Sequence, residues 1–302
     1  MNFRLIFLAF AFAVVSSRAQ TDLNIVVDST LVVVPVTVTD PSNRFVLGLE
    51  KDDFTILEDG VRQKITHFSG EDAPLSVGLL IDTSGSMGLK LDTSRRAVTE
   101  FLKTMSAQDE AFLIQFSDQA DVVQGFTGDM KEIGNKMKGL QSGGLTALLD
   151  AVNLGVREMK KAKNPRKALV IVSDGGDNHS RYTATDIKDL VREADTQIYA
   201  FGVFEPILFP QLSSEEISGP RLLAQIADQT GGRAFGASQF DQLPGIAEKI
   251  AIELRNQYVL AYAPTNGERD GKYRHVEVTV RQQPGLPKLN ARWRQGYYAP
   301  SQ

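Results

Sequence analysis

The stretch "LSVGLLIDTSGSMG", Leu75 to Gly88, changes character at a single residue. The run Leu75–Ile81 is apolar and short, which fits a strand buried on both faces. It stops at Asp82 and gives way to Thr83, Ser84, Gly85 and Ser86, all small and most oxygen-bearing. Such a strand end could hold a metal, a nucleophile or a phosphate, or be a plain polar turn.

Outward from this point, strand and helix patterns alternate. Strands are expected at Leu75–Asp82, Ala111–Phe116, Asp121–Phe126, Ala168–Ser173, Gln197–Phe204 and Arg233–Gly236. In "SRRAVTEFLKTM", Ala97, Val98, Phe101, Leu102 and Met105 share one helical face. "TALLDAVNLGVREMKKA" is also helical, with Lys160, Lys161 and Lys163 placed to complement the C-terminal end of the helix dipole. Further helices are expected near Asp186–Ala194, Arg221–Thr230 and Asp241–Asn256. This order predicts a doubly wound α/β sheet, Rossmann-like, with helices on both faces.

The flanks read as β. Val32, Val34, Val36 and Val38 share one face of "TLVVVPVTVTD", where Pro35 points to an edge or bulged strand. "DFTILEDGVRQKITHFSG" predicts a hairpin turning at Asp59-Gly60. After Asn256, "YVLAYAP", "HVEVTV" and "LNARWRQGYY" alternate in turn. Segments of about 50 and 45 residues are marginal as independent cysteine-free cores. The two flanks, residues 20–73 and 257–302, are therefore expected to pair into one β-sandwich with the α/β unit, residues 74–256, inserted between them.

Ligands of open α/β sheets bind beyond the carboxyl ends of the strands. Asp82, Ser84 and Ser86 lie at one such end, and Asp174 in "LVIVSDGGDN" lies at another. Thr146, after a glycine-rich loop in "SGGLTALLDA", falls in an equivalent place. Three loops thus deliver Asp82, Ser84, Ser86, Thr146 and Asp174 to one edge of the sheet. Asp177 and Asn178 read as turn or supporting residues, and His179 as an exposed loop histidine.

In this order the five positions resemble the metal-ion-dependent adhesion site of the von Willebrand factor A (VWA) domain. That site has the pattern D-x-S-x-S followed by a distant Thr and a distant Asp. The flanks "LEKDDFTILEDG" and "YAPTNGERDGKYRHVEV…GYYAP" look like those of exported bacterial VWA-related proteins. The resemblance implies a divalent cation, Mg²⁺ first and Mn²⁺ or Ca²⁺ next. Ser84, Ser86 and Thr146 would hold it through hydroxyls, with Asp82 and Asp174 acting directly or through water. Hard cations of this kind take oxygen ligands and keep waters. Neutral hydroxyls leave the ion electrophilic, so the implied partner is a protein presenting an Asp or Glu carboxylate. The function implied is protein–protein interaction or adhesion.

Other classes fit less well. The net charge of −4, from 33 Lys+Arg against 37 Asp+Glu, shows no basic excess for nucleic acid. "SGSMG" misses the G-x-S-x-G nucleophile elbow, because Ser84 stands where its first glycine belongs. The three histidines, His67, His179 and His275, form no triad pattern. A hydrolase using the same metal, or a structural envelope subunit with a vestigial site, are the alternatives. Residues 1–19 read as an export signal: Arg4, the apolar core Leu5–Val15, and a Ser17-Arg18-Ala19 cleavage site. The mature chain is then expected to lack a membrane span and to be periplasmic, cell-surface or secreted. The absence of cysteine favours a bacterial setting over a disulfide-bearing animal one. The Pro-punctuated insertion at 205–220, which carries Ile207, Leu208 and Phe209, is expected to be either a partner-selecting loop or a packing strap.

Overall fold

In β1 (Val32–Thr39), Val32, Val34, Val36 and Val38 all turn inward, as their alternation predicts. The computed structural model describes residues 31–70, 73–203, 214–237, 242–282 and 288–301. The expected signal at 1–19 and most of the 205–220 insertion lie outside them. After β1 come β2 (Phe54–Glu58), β3 (Val61–Gln63) and β4 (Ile65–Ser69). Between β2 and β3, Asp59 (φ 47°) and Gly60 (φ 80°) both adopt the left-handed backbone that a two-residue type I′ turn demands.

The C-terminal flank supplies β11 (Tyr258–Tyr262), β12 (Tyr273–Val280), β13 (Asn290–Trp293) and β14 (Gly296–Tyr298). Two four-stranded sheets result, ordered β13-β1-β11-β4 and β14-β12-β2-β3. Each draws strands from both ends of the chain, and one apolar cluster including Val34, Ile56, Leu260 and Val278 spans the two. Buried Glu58 sits at this junction and accepts hydrogen bonds from the hydroxyls of Tyr262 and Tyr297, each at 2.8 Å.

Pro35 does not put β1 at an edge; β1 lies between β13 and β11. Strand β13 covers only Val36–Thr39, so Pro35 falls one residue outside that ladder. The run "LNARWRQGYY" is also two strands, not one. It leaves the first sheet after Trp293 and enters the second at Gly296, with Val276 N–H donating to Gln295 O across the corner at 2.9 Å.

The α/β unit begins at β5 (Leu75–Asp82), buried at every position. With β6 (Glu110–Phe116), β7 (Ala120–Thr127), β8 (Arg166–Ser173), β9 (Gln197–Val203) and β10 (Ala234–Ala237) it forms one sheet, ordered β10-β9-β8-β5-β6-β7. All neighbours are parallel except the β6–β7 hairpin. One face is covered by α1 (Leu91–Lys103), α2 (Met130–Lys138) and α6 (Leu243–Arg255). The other is covered by α3 (Leu148–Met159), α4 (Ala184–Glu193) and α5 (Ser214–Gln229). Each face has its own core: Phe101 and Ile250 lie in one, Val152 and Ile187 in the other.

The sequence reading has no helix at α2, and it starts α5 too late. Helix α5 runs from Ser214 through Pro220, so the last part of the 205–220 insertion is helical, not a loop. Among the described residues, no helix is long and apolar enough to cross a membrane.

Because Glu58 depends on two tyrosine donors inside the shared core, Tyr262→Phe is expected to lower unfolding free energy by about 1–3 kcal/mol in urea titrations. Glu100→Ala, which breaks the exposed pair with Lys103, is expected to change it by less than about 0.5 kcal/mol.

Candidate metal centre

Strands β5 and β8 are neighbours, but the chain leaves them in opposite directions, toward β6 and toward β9. Their carboxyl ends therefore open into the crevice where doubly wound sheets bind ligands. Asp82 ends β5 and Ser173 ends β8. Ser173 Oγ donates to Asp82 Oδ2 at 2.6 Å, and the Ser84 amide donates to Asp82 Oδ1 at 2.8 Å. The Gly175 amide in turn donates to Ser173 Oγ at 2.9 Å. Asp82 is fully buried. That burial, and after it the neighbouring charge of Asp174, push its carboxyl up to about 6.

The loop after β5 closes in a short 3₁₀ turn at Gly85–Met87. It holds Ser84 Oγ and Ser86 Oγ 3.1 Å apart, the first buried and the second exposed. The second loop is stitched to it through main chain: Gly143 N–H donates to Thr83 O at 2.8 Å, and Gly85 N–H to Gly144 O at 3.0 Å. Gly144 (φ 81°) cannot be replaced without cost, since a Cβ there would meet Asp118 Oδ2 at 2.5 Å. Thr146, next but one, donates its N–H to Asn178 Oδ1 at 2.9 Å. Its carbonyl accepts the Asn178 and His179 amides, both at 3.0 Å. In the third loop, Gly175 (φ 86°) lies so close to the Gly219 backbone of α5 that a Cβ would stand 2.6 Å from its carbonyl carbon.

The five residues singled out in the sequence thus fall on three adjoining loops. Asp82, Ser84 and Ser86 are directly bonded into one group. Asp174 joins it through its field at Asp82, and Thr146 through main-chain bonds between the loops. Asn178 is a support for Thr146, and Asp177 accepts the Leu149 amide at 3.3 Å and the Ser180 hydroxyl, which is a turn and cap role. His67, His179 and His275 are exposed.

Three contributors escaped the sequence reading. Ser173 orients Asp82, and Asp118 Oδ1 accepts the Leu145 amide at 2.8 Å and braces the second loop. Lys90, 7% exposed, donates from Nζ to Asp174 Oδ2 at 3.2 Å. No spacing rule announces a buried lysine whose partner is 84 residues away.

The donor set fits a hard divalent cation. Among the described residues, no group of three or more His, Cys, Asp or Glu is placed to hold a metal, and the oxygens on offer here are the carboxylates of Asp82 and Asp174 and the hydroxyls of Ser84 and Ser86. Two adjacent ligands of an octahedral ion bonded at about 2.1 Å stand about 3 Å apart. Ser84 Oγ and Ser86 Oγ are hydrogen-bonded to each other at 3.1 Å, a separation compatible with that spacing.

A doubly wound sheet with this hydroxyl-rich crest defines a class, and the sequence comparison agrees with it. Residues 77–176 match the family profile of the von Willebrand factor type A domain. The likeness to that domain is carried by this stretch, about a third of the chain. It is 26% identical over 185 residues to inter alpha-trypsin inhibitor heavy chain 4 of Mus musculus. That match takes in 55% of this chain but only 20% of the mouse protein. An uncharacterized protein of Borreliella burgdorferi is 21% identical over 227 residues, 65% of each chain. Among solved structures, a von Willebrand factor type A protein from Catenulispora acidiphila superposes over 90% of this chain and 74% of its own (TM-score 0.52, 13% identity). Proximal thread matrix protein 1 from the mussel byssus covers 65% of this chain and 49% of its own in a form with a zinc-occupied metal-ion-dependent adhesion site (TM-score 0.50, 18% identity).

The raised pKa of Asp82 sets a sign. A carboxyl that is harder to ionise when folded costs stability at neutral pH, and the cost fades as pH falls from about 6 toward the unfolded value near 4. In EDTA, Asp82→Asn removes the buried charge but leaves one of the Ser173 and Ser84 donors without an acceptor, so its stability relative to wild type is expected to be higher at pH 7 than at pH 4. The pH-dependent part of the difference should vanish by about pH 4, as followed by thermal melts across pH.

Proposed function

We propose that this chain is a metal-dependent protein-capture module, a VWA domain set into a β-sandwich built from its two flanks. The observation that carries the reading is the pair of serine hydroxyls 3.1 Å apart, beside two buried carboxylates at the strand divergence. In this reading Ser84, Ser86 and Thr146 face a divalent cation with neutral oxygens, while Asp82 and Asp174 balance its charge. Mg²⁺, Mn²⁺ or Ca²⁺ fits an oxygen donor set of this kind. When bound, the cation supplies a Lewis-acidic point whose coordination a partner's Asp or Glu carboxylate can complete. The buried carboxylates hold their orientation through Ser173 and Lys90, so little has to be ordered at the moment of capture.

The zinc-occupied site of the mussel protein supports divalent binding by this fold. A catalytic role has less support. All three histidines are exposed, and the side chains bonded within the cluster are serine, aspartate and lysine. The export signal read at residues 1–19 would put the module outside the cytoplasm, where the absence of cysteine is no handicap.

Mg²⁺ at millimolar concentration is expected to raise the melting temperature of wild type, and Ser84→Ala with Asp82→Ala to abolish the rise. Proteins captured from native extract in Mg²⁺ should be released by EDTA and absent with Asp82→Ala. Metal-independent melting in wild type would refute the reading, and metal-dependent turnover of an ester or phosphoester panel would replace it with a hydrolase.

A further inference from the structure

Lys90 closes the first loop and leads into α1. Its backbone is fixed: Lys90 N–H donates to Met87 O at 2.9 Å, and Lys90 O accepts both the Ser94 amide at 2.9 Å and the Ser94 hydroxyl at 3.0 Å. From this anchored position the side chain reaches the third loop, where Nζ meets Asp174 Oδ2 with only 9% of the side chain exposed. Lysine is rarely buried unless it is paired with an opposite charge. Removing one partner of such a buried pair leaves an uncompensated charge and is strongly destabilising.

Asp82 and Asp174 bring two carboxylates, and Lys90 is the one cation bonded to either of them among the described residues. With both carboxylates ionised, the protein presents one net negative charge to a divalent ion rather than two. Affinity for hard cations is tuned by the number of charged ligands in the site and by its rigidity. A tethered ammonium on Asp174 takes away half of the electrostatic attraction without removing a ligand, since Asp174 Oδ1 is not used by that bond.

We propose that Lys90 is a built-in counter-cation that holds the divalent affinity of this site low. The inference rests on the reading that the cluster binds a metal. It goes further by assigning Lys90 the task of keeping that metal loosely held until a partner carboxylate restores the missing negative charge. Metal and partner are then captured together, each strengthening the other by the same factor, as linkage requires. A site without the lysine would fill at lower metal concentration and gain less from the partner.

The test uses Mn²⁺ alone as the probe, with isothermal titration on the full chain in wild type, Lys90→Met, Lys90→Gln and Lys90→Arg. Lys90→Met is expected to bind Mn²⁺ about tenfold more tightly than wild type. Lys90→Arg, which keeps the charge, should stay within threefold of wild type. Lys90→Met should also melt earlier in EDTA and gain more from Mn²⁺ than wild type does. A Lys90→Met that folds only when Mn²⁺ is present supports the proposal equally. If it does not fold at all, Lys90→Gln is held to the same threshold. An affinity increase of less than threefold in the uncharged variant, or a decrease, overturns this role for Lys90 and leaves the metal reading standing. Absence of Mn²⁺ binding in every variant removes the metal reading and this inference with it.

Discussion

A carboxylate sealed from water at the point where two parallel strands part company is the constraint on which this molecule turns. Asp82 is wholly buried, and an unpaired charge there would be prohibitively expensive. Its two oxygens are answered by a hydroxyl from β8 and an amide from its own loop. Each answering group is then committed to a position. Ser173 has to end β8 beside it, and the chain has to fold back at Ser84. The serine pair and the stitched second loop follow from that turn. The crest is built outward from one buried acid, and the parallel register that sets Ile81 opposite Val172 brings the two strand ends level.

The supports of this crest lie in both cores. Helix α1 packs on one face of the sheet and carries Lys90 at its start, while α3 packs on the other and begins just past Thr146. Fully buried Arg166, at the opposite end of β8, ties that strand to the end of the N-terminal flank and to the last turn of α6. Its Nε donates to Ala73 O at 3.0 Å and its Nη1 to Leu254 O at 2.9 Å. Strand β8 is therefore pinned at both tips, by a guanidinium at one and a serine–carboxylate contact at the other.

Much of this was legible in the sequence because the governing patterns are local. Unbroken apolar runs marked the central strands, valines at every second position marked β1, and Asp59-Gly60 marked a tight turn. Small polar residues at strand ends pointed to three loops, and in the structure Asp82, Ser84 and Ser86 form one hydrogen-bonded group with Thr146 and Asp174 on the loops beside it. Where the pattern was thin, the reading failed. In α2 the buried positions are only Ile133 and Met137, and Gly134 sits in the middle. Pro35 was misjudged because a proline reports on its own N–H and not on how far the neighbouring strand extends. Pro220 concealed the start of α5 for a similar reason. Lys90 was invisible in a stricter sense: its meaning depends on a carboxylate brought to it only by the folded sheet.

The way the α/β unit joins the rest has a mechanical consequence. Strand β4 leads into it and β11 leads out, and these two are hydrogen-bonded neighbours, with Phe68 opposite Leu260. A load applied at the crest reaches the flanking sheets through two side-by-side strands in place of a single tether. Such a double stem resists twisting, and it splits tension between two lines of backbone that brace one another.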